Sequence, residues 1–253
     1  MAWCVAASAQ GYGNAYFFGD SDVDSGSYLG TLKNGTPVWG KYTKPGGTHW
    51  TAHVGAALGV GVSPFFSANA AGFSPAYGNN PTGNNAAIGG ARTDLLPGDL
   101  VSTALPASSQ VSHLIKANAG ALNSSALYFY RAGFNDINLV DSNFNLQATS
   151  ASVTLAGDAV VPALQTLKNA GARYVIYANS GQPEAINAGD LTDTFNQAVN
   201  RSIVRSGLAV LQADLNGLTR HVAENPALYG FLDESSDCAA EAAALALQPS
   251  LAQ

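Results

Sequence analysis

Short apolar or β-branched runs recur along the chain, and each is followed by Gly, Asn or Asp and then by a helical pattern. Strands that alternate with helices in this way predict βα units, which assemble into a mostly parallel sheet. We therefore expect an α/β fold, a three-layer α/β/α sandwich with a central sheet of about five strands. The predicted strands cover 15–18, 85–88, 126–131, 173–178 and 208–212.

Longer segments between these runs carry apolar residues at helical spacing. Helices are predicted over 50–58, 150–169 and 191–205. Asp190 and Thr192 are candidate N-caps for the last of these helices. Residues 61–83 are rich in Gly, Pro, Ser and Asn with interleaved aromatic side chains, which predicts a long surface loop beside a site.

The 253 residues are enough to bury one sizeable core, and no repeat, heptad or linker divides them into two domains. We expect one folded domain over 15–237, between an N-terminal tail (1–14) and a C-terminal tail (238–253). The formal net charge of −6 and the lack of a basic stripe disfavour a nucleic-acid partner, because nothing would neutralise a run of phosphates. No apolar stretch approaches the roughly 20 residues that a membrane-spanning helix needs.

The first ten residues, MAWCVAASAQ, end in a small-x-small pattern like that of a signal-peptide cleavage site, but they lack a basic start and a long apolar core. They are either the remnant of an export signal or a disordered tail. The low charged content of 11% suits the small-residue surface that secreted proteins often have. Cys4 and Cys238 are too few to identify a redox compartment, and we expect neither to be catalytic.

The stretch FFGDSDVDSG, residues 17–26, supports two incompatible interpretations. Its alternating aspartates resemble the start of a calcium loop, whereas its phenylalanines can end a strand that delivers Ser21 into a turn as a nucleophile. An EF-hand loop that begins at Asp20 needs Gly at its sixth position and Glu at its twelfth, where this chain has Ser25 and Thr31. The sequence therefore favours the nucleophile.

Three polar turns that contain glycine follow three of the predicted strands: GDS after the first, IGGAR after the second and GFNDI after the third. In an open parallel sheet, the loops at the carboxyl ends of the strands converge on one crevice. We therefore expect these three turns to meet and to form a single site.

Through these turns the chain resembles the GDSL esterases and lipases of the SGNH hydrolase superfamily, in particular the esterase passenger domains of bacterial autotransporters. The first family block, GDSLSDTG, is GDSDVDSG over 19–26, with Asp in place of Leu and Ser in place of Thr. The second block, N-x-A-x-GGA, is NAAIGGA over 85–91, and the third, GxND, is GFND over 133–136. The resemblance runs from about Tyr16 to about Cys238 and includes a late NPALYGF segment.

The resemblance implies a serine ester hydrolase of the SGNH fold, which is flavodoxin-like, with no metal or organic cofactor. Ser21 would be the nucleophile, and its own backbone N–H would be one donor to the oxyanion of the tetrahedral intermediate. Gly90 would supply a second backbone N–H, because a residue without Cβ lets the backbone approach the reacting carbonyl. Asn135 would supply a side-chain N–H. Asp20 and Asp24 are expected to be structural and to bond turn amides.

The histidines do not identify a metal site or a base. His49 and His53 lie four residues apart on a predicted helix, a spacing that zinc ligands use, but His49 has no neighbouring Glu and no third ligand is evident. A helix packed through its apolar side chains is the better interpretation. His113 and His221 also lie in helical patterns, where we expect surface or capping roles.

The family takes its general base from a D-x-x-H block near the C-terminus, and no Asp-x-x-His occurs in this chain. We expect the chain to be a truncated or frame-altered form of a longer protein; the alternative is that His221 or another histidine serves as the base. Without a base the Ser21 hydroxyl is a weak nucleophile, so we expect impaired ester hydrolysis.

The resemblance implies a small-molecule or lipid ester as substrate, because the family ranges over short-chain esters, lipids and acetylated sugars. The aromatic residues Phe65, Phe66, Phe73 and Tyr77 indicate an apolar acyl or aryl group, unless they belong to the core. The resemblance also implies secretion or exposure on a bacterial cell surface. Two alternatives come from other classes, namely a catalytically inactive SGNH domain used for binding or secretion, and a carbohydrate-binding module.

Overall fold

A computed structural model describes residues 11–28, 32–33, 36–37, 48–67, 78–94, 104–141, 146–181 and 189–230. The predictions for Cys4, Cys238, Phe73 and Tyr77 fall outside the described residues, as do those for most of both tails.

Strands alternate with helices along the described chain, as the apolar pattern predicts. The strands are β1 (Ala15–Gly19), β2 (Leu32–Lys33), β3 (Thr36–Pro37), β4 (Phe66–Ser67), β5 (Gly78–Asn79), β6 (Leu127–Arg131), β7 (Val140–Asp141), β8 (Leu146–Gln147), β9 (Tyr174–Ala178) and β10 (Leu211–Ala213). The helices are α1 (Trp50–Leu58), α2 (Ala107–Ala117), α3 (Phe134–Ile137), α4 (Ser150–Asn169), α5 (Gly189–Ser206) and α6 (Leu215–Glu224), followed by a 3₁₀ turn (Pro226–Tyr229).

The central sheet is parallel, and within the described residues its four strands lie in the order β1-β6-β9-β10. Residues 84–88 run beside the outer edge of β1 and hydrogen-bond to it, with Phe17 N donating to Asn84 O (3.0 Å) and Ala86 N donating to Phe17 O (2.8 Å). With this segment counted second in chain order, the order is 2-1-3-4-5, which is one of the doubly wound α/β orders. The α/β class and the mostly parallel sheet are therefore confirmed.

One face of the sheet carries most of the core. Successive side chains of a strand point to opposite faces, so Tyr128, Tyr130 and Tyr177 share this face. They pack with Leu164 of α4 and Val199 of α5 in a single buried cluster. Burying such a side chain stabilises the fold by about 1.5–3 kcal/mol relative to leaving it exposed. This layer fixes the positions of the strands whose ends carry the site.

The opposite face is covered less completely. Phe17, Phe129 and Ile176 lie on it, and α1 packs there through Val54 and Leu58. The Phe17 and Phe129 rings stack with centroids 5.0 Å apart. Helices therefore lie on both faces of the sheet, which gives the three layers that the sequence predicts.

The ends of several helices follow from local sequence. Thr149 caps α4 in a reciprocal capping box with Ser152, whose backbone N–H donates to Thr149 Oγ1 over 3.1 Å. Gly59 ends α1 in the left-handed conformation, with φ +72°, that glycine adopts without strain. The predicted caps of α5 are wrong, because the helix already begins at Gly189 and contains both Asp190 and Thr192.

Two other predictions need correction. The apolar run 85–88 forms an isolated bridge at Asn85 in place of a regular strand, and the last sheet strand begins at Leu211, three residues later than predicted. In the predicted surface loop 61–83, Phe65 and Phe66 are fully buried core residues, so they do not mark a substrate pocket. Phe66 belongs to β4, which pairs with β5.

Candidate active site

The three glycine-containing turns meet at the carboxyl ends of the strands, as the sheet order requires. The backbone N–H of Gly89, in the second turn, donates to Asp24 Oδ2 in the first over 2.8 Å. Asn135 Nδ2, in the third turn, donates to the carbonyl of Ala91 in the second over 2.8 Å. Hydrogen bonds therefore join all three turns into one site, and Ser21, Gly90 and Asn135 each lie on one of them.

Ser21 lies in a tight turn directly after β1. The carbonyl of Asp20 closes this turn by accepting the backbone N–H groups of Val23 and Asp24, each at 3.0 Å. Ser21 is half-buried, and within the described residues its hydroxyl forms no hydrogen bond. Its oxygen is therefore held by the backbone alone and is open to an incoming group.

Asp24 is the central structural group of the first turn. Its Oδ1 accepts the backbone N–H groups of Gly26 (2.8 Å) and Ser27 (2.7 Å), and its Oδ2 accepts the Ser27 hydroxyl and the Gly89 N–H. Burial raises the pKa of this carboxyl, and the four hydrogen bonds oppose that shift. The prediction that Asp24 bonds turn amides is confirmed, and the bond to Gly89 also ties the turn to the next loop.

Asp136 does for the third turn what Asp24 does for the first. Its Oδ1 accepts Arg92 Nε at 2.9 Å, and its Oδ2 accepts the backbone N–H (2.8 Å) and hydroxyl (2.9 Å) of Thr93. Burial raises the pKa of Asp136, while the Arg92 guanidinium lowers it. The sequence pointed to Asp136 only as part of a motif, and its partners come from a loop more than forty residues away.

Gly90 is exposed at the mouth of the site and has φ +82°, in the left-handed region that favours glycine. Within the described residues no acceptor is bonded to its backbone N–H. Asn135 is half-buried, and one amide hydrogen of its Nδ2 remains after the bond to Ala91. Both groups therefore keep an N–H that no described acceptor engages.

Gly133, the first residue of the GFND turn, explains why that turn needs glycine. Its φ of +124° is strained for other residues, and a Cβ there would lie 2.4 Å from the ring of Phe195. Phe195, on α5, is fully buried in the core. The third turn thus packs directly against the core, which fixes the position of Asn135 relative to the sheet.

Three charged side chains, Asp20, Asp22 and Arg131, form a cluster beside the turn that carries Ser21. Asp20 is fully buried, and burial raises its pKa to about 7, although the positive charge of Arg131 lowers it. Arg131 Nη1 lies 3.7 Å from Asp20 Oδ1 and also donates to Asp22 Oδ2. Asp22 therefore links the turn that carries Ser21 to the end of β6. The prediction that Asp20 bonds a turn amide is confirmed by the Asp22 N–H, at 3.1 Å.

None of the four histidines is hydrogen-bonded to Ser21. His49 is the N-cap of α1, so it does not share the helix with His53 as predicted; its Nδ1 accepts from Thr51 N. His53 and His113 are exposed on α1 and α2. His221 is exposed on α6, and its Nδ1 lies 2.7 Å from the hydroxyl of Tyr229.

Neither a metal centre nor a membrane span is found in the part of the chain that the structure describes. No group of three or more His, Cys, Asp or Glu side chains in those ranges is placed to hold a metal ion. No helix among the same residues is long and apolar enough to cross a bilayer.

Comparisons with known proteins add little beyond the fold. No family model matches the chain, and no curated protein matches it. One solved structure that is similar is LAE5, an α/β hydrolase enzyme from the metagenome of Lake Arreo, Spain, with 13% sequence identity over 84% of this chain and 81% of that one. Its TM-score is 0.44, and at this level the likeness carries no argument about the chemistry of this chain.

Proposed function

We propose that this protein is a serine ester hydrolase of the GDSL type in the SGNH superfamily, acting through an acyl-enzyme on Ser21. The observation that carries the proposal is the junction of the three turns through the Gly89–Asp24 and Asn135–Ala91 hydrogen bonds. The junction supports the proposal because acyl transfer requires a hydroxyl and N–H donors on neighbouring segments, and the joined turns carry an unbonded hydroxyl and unengaged N–H groups.

In the proposed reaction, Ser21 Oγ attacks the carbonyl carbon of the ester and forms a tetrahedral intermediate. The negative charge on the carbonyl oxygen is stabilised by the backbone N–H groups of Ser21 and Gly90 and by Asn135 Nδ2, and each such donor is worth about 3 kcal/mol. The intermediate collapses to an acyl-enzyme and releases the alcohol. Water then attacks the acyl group, releases the carboxylic acid and returns a proton to Ser21.

The proton of Ser21 needs an acceptor during the first step, and no histidine is hydrogen-bonded to that hydroxyl. An enzyme that lacks a triad member typically keeps only the roughly 10³- to 10⁴-fold acceleration that the oxyanion hole and substrate binding provide. We therefore expect slow turnover, even with activated esters. We also propose that the protein acts outside the cell or at its surface, in line with its low charged content of 11%.

The test is labelling of the folded protein with a fluorophosphonate, followed by peptide mass spectrometry, beside hydrolysis of p-nitrophenyl acetate. We expect a single adduct at Ser21, and Ser21→Ala should abolish both the adduct and the turnover while the circular dichroism spectrum stays unchanged. Ser112→Ala, which alters an exposed serine on α2, is the matched control and should behave like the parent chain. Unchanged turnover in Ser21→Ala would remove Ser21 from the mechanism.

A second candidate is a catalytically inactive SGNH domain used for binding or secretion. It is favoured by the same missing contact between Ser21 and a histidine. No adduct at Ser21 in a folded sample, with no turnover above the buffer rate, would support this alternative over the esterase.

A further inference from the structure

A cavity of about 450 Å³ opens on the face of the sheet that α1 covers incompletely. Its apolar lining consists of Trp50, Phe129, Ile176, Ala178, Ala213 and Leu215. Asp22 and Arg131 complete the wall, and these two charged side chains are paired with each other. The volume lies within the roughly 300–1,000 Å³ range of small-ligand pockets. A mostly apolar lining with few polar groups is also typical of such pockets.

The cavity lies between the start of α1 and the start of α6. Its floor comes from the carboxyl-terminal halves of β6, β9 and β10, where Phe129, Ile176 and Ala213 are only half-buried. Parallel strands place their site-forming loops at this end of the sheet. The cavity is therefore on the same edge as the three turns of the candidate active site.

The nucleophile turn forms part of the cavity wall. Asp22, the residue that follows Ser21, lines the cavity and is fixed on two sides. Its side chain pairs with Arg131, and its carbonyl accepts the indole N–H of Trp50. Because Trp50 also lines the cavity and its ring meets the Phe129 ring edge-on, the apolar wall is continuous from β6 to the turn that carries Ser21.

We infer that this cavity binds the apolar acyl or aryl group of the ester substrate, and so confers a preference for medium-length chains over acetate. The inference rests on the proposed function for the role of Ser21. A neutral apolar chain fits, because the two charges in the wall are paired with each other and the lining is mostly apolar. This site takes the place of the aromatic cluster that the sequence indicated, since Phe65 and Phe66 belong to the core.

The test measures binding separately from catalysis. The full-length Ser21→Ala protein is titrated by calorimetry with N-methyloctanamide and with N-methylacetamide, which are neutral amides that mimic the acyl part of the substrate. Each buried methylene is worth about fourfold in affinity, so we expect the octanamide to bind at least about 100-fold more tightly.

Two further variants locate that binding. Ala213→Phe, made in the same Ser21→Ala protein, fills the cavity floor and should reduce the preference for octanamide to less than about tenfold. Ala121→Phe, an exposed alanine in the loop between α2 and β6, is the matched control and should leave the preference unchanged. Thermal unfolding of each variant verifies that it is folded.

The outcomes separate this inference from the proposed function. Equal octanamide binding by Ala213→Phe would place the amide elsewhere and overturn the inference. No octanamide binding by the folded Ser21→Ala protein would also overturn the inference, because the cavity would then not accept an apolar chain. Chain-length-dependent binding would uphold the cavity as an acyl site even if Ser21 proved not to be the nucleophile.

Discussion

The two halves of the crevice are built by different means. In the half formed by the turns after β1, residues 84–88 and β6, buried Asp24 and Asp136 each accept several hydrogen bonds from neighbouring turns. In the half formed by β9, β10 and α6, the Asp193–Arg220 ion pair is about half exposed, and none of the described residues of α6 is buried. Aspartate thus accepts buried hydrogen bonds in the first half and forms an exposed ion pair in the second.

This difference has energetic consequences. A carboxylate bonded inside a dry site is costly to disturb, because its partners lose their only acceptor, whereas exposed pairs contribute about 0–1 kcal/mol. The half that contains the proposed oxyanion donors is therefore preorganised, which is what electrostatic stabilisation of a transition state needs. In the other half the buried polar support is neutral, because Asn196 accepts the backbone N–H of Ser180 and donates to its carbonyl.

The largest expected effect is on the buried scaffold itself. Asp24→Asn keeps the shape of the side chain but replaces one acceptor oxygen with a donor, which leaves the Ser27 or Gly89 donors unpaired. We expect unfolding to become easier by about 3 kcal/mol, measured by urea denaturation at pH 7. Asp193→Asn, in the exposed half, is the matched control and should cost less than about 0.5 kcal/mol. Similar losses in both variants would contradict the comparison.

Asn135→Ala tests the chemistry of the same half. We expect kcat to fall about 100-fold with a much smaller change in KM, because the oxyanion develops mainly in the transition state. Steady-state hydrolysis of a p-nitrophenyl ester measures both constants. Asn138→Ala, which removes a bond to Phe134 O at the other end of α3, should leave kcat within about threefold. A change confined to KM would show that Asn135 binds substrate and does not stabilise the oxyanion.

The pH dependence of stability should have opposite signs for a buried aspartate of the first half and an exposed aspartate of the second. Burial raises the pKa of Asp20 to about 7, so the folded protein holds its proton more tightly than the unfolded chain does. Stability from this group is present at low pH and falls as pH rises, by about 2 kcal/mol between pH 5 and 7. Asp20→Asn should flatten that decline in urea denaturation series. A decline that is unchanged in the variant would assign it to other groups.

Asp214, in the exposed half, provides the control for that experiment. The Gly217 N–H bonded to it lowers the pKa of this helix-capping carboxyl, followed by the Asn179 side chain. Its small contribution is present above the unfolded pKa and is lost as pH falls through the folded one. Asp214→Asn should therefore remove a small contribution that is constant between pH 5 and 7, so the slope of stability in that interval stays as in the parent chain, and the two proteins should converge at acidic pH.

The smallest expected effect is at His221. This side chain is exposed and contacts only Tyr229 among the described residues, far along α6 from its start at the cavity. We expect His221→Ala to leave kcat/KM within twofold and unfolding within about 0.5 kcal/mol. Loss of ester hydrolysis in this variant would instead identify His221 as the base and overturn our account of the exposed half.

Local patterns predicted most of the fold. The helices α1 and α4 match their predicted bounds, because their apolar spacing and their end residues act within a few positions of the chain. The strands β1, β6 and β9 were predicted within a residue or two for the same reason. The run 85–88 bonds to β1 through its backbone but forms only isolated bridges at Asn85, whose side chain also donates to the carbonyl of Val23 in the turn after β1.

The sequence predicted the three turns of the candidate site but not the side-chain contacts that hold them. A glycine-rich turn after a strand is a local signal, so Ser21, Gly90 and Asn135 could be named from the sequence. The Asp22–Arg131 pair and the cavity beside it depend on which strands become neighbours, and no short stretch of sequence records that. The burial of Phe65 and Phe66 likewise overrides a composition typical of loops.

The pairing of β1 with β6 joins two segments that the ribosome makes at different times. Ala15 pairs with Leu127, so AYFFG leaves the ribosome more than a hundred residues before its central neighbour exists. At about 5–20 residues per second, this apolar strand stays without that partner for roughly 5 to 20 seconds. Contacts of such long sequence separation slow folding and leave strand edges open to other chains. The turn that carries Ser21 is thus made well before β6, the strand that pairs with β1.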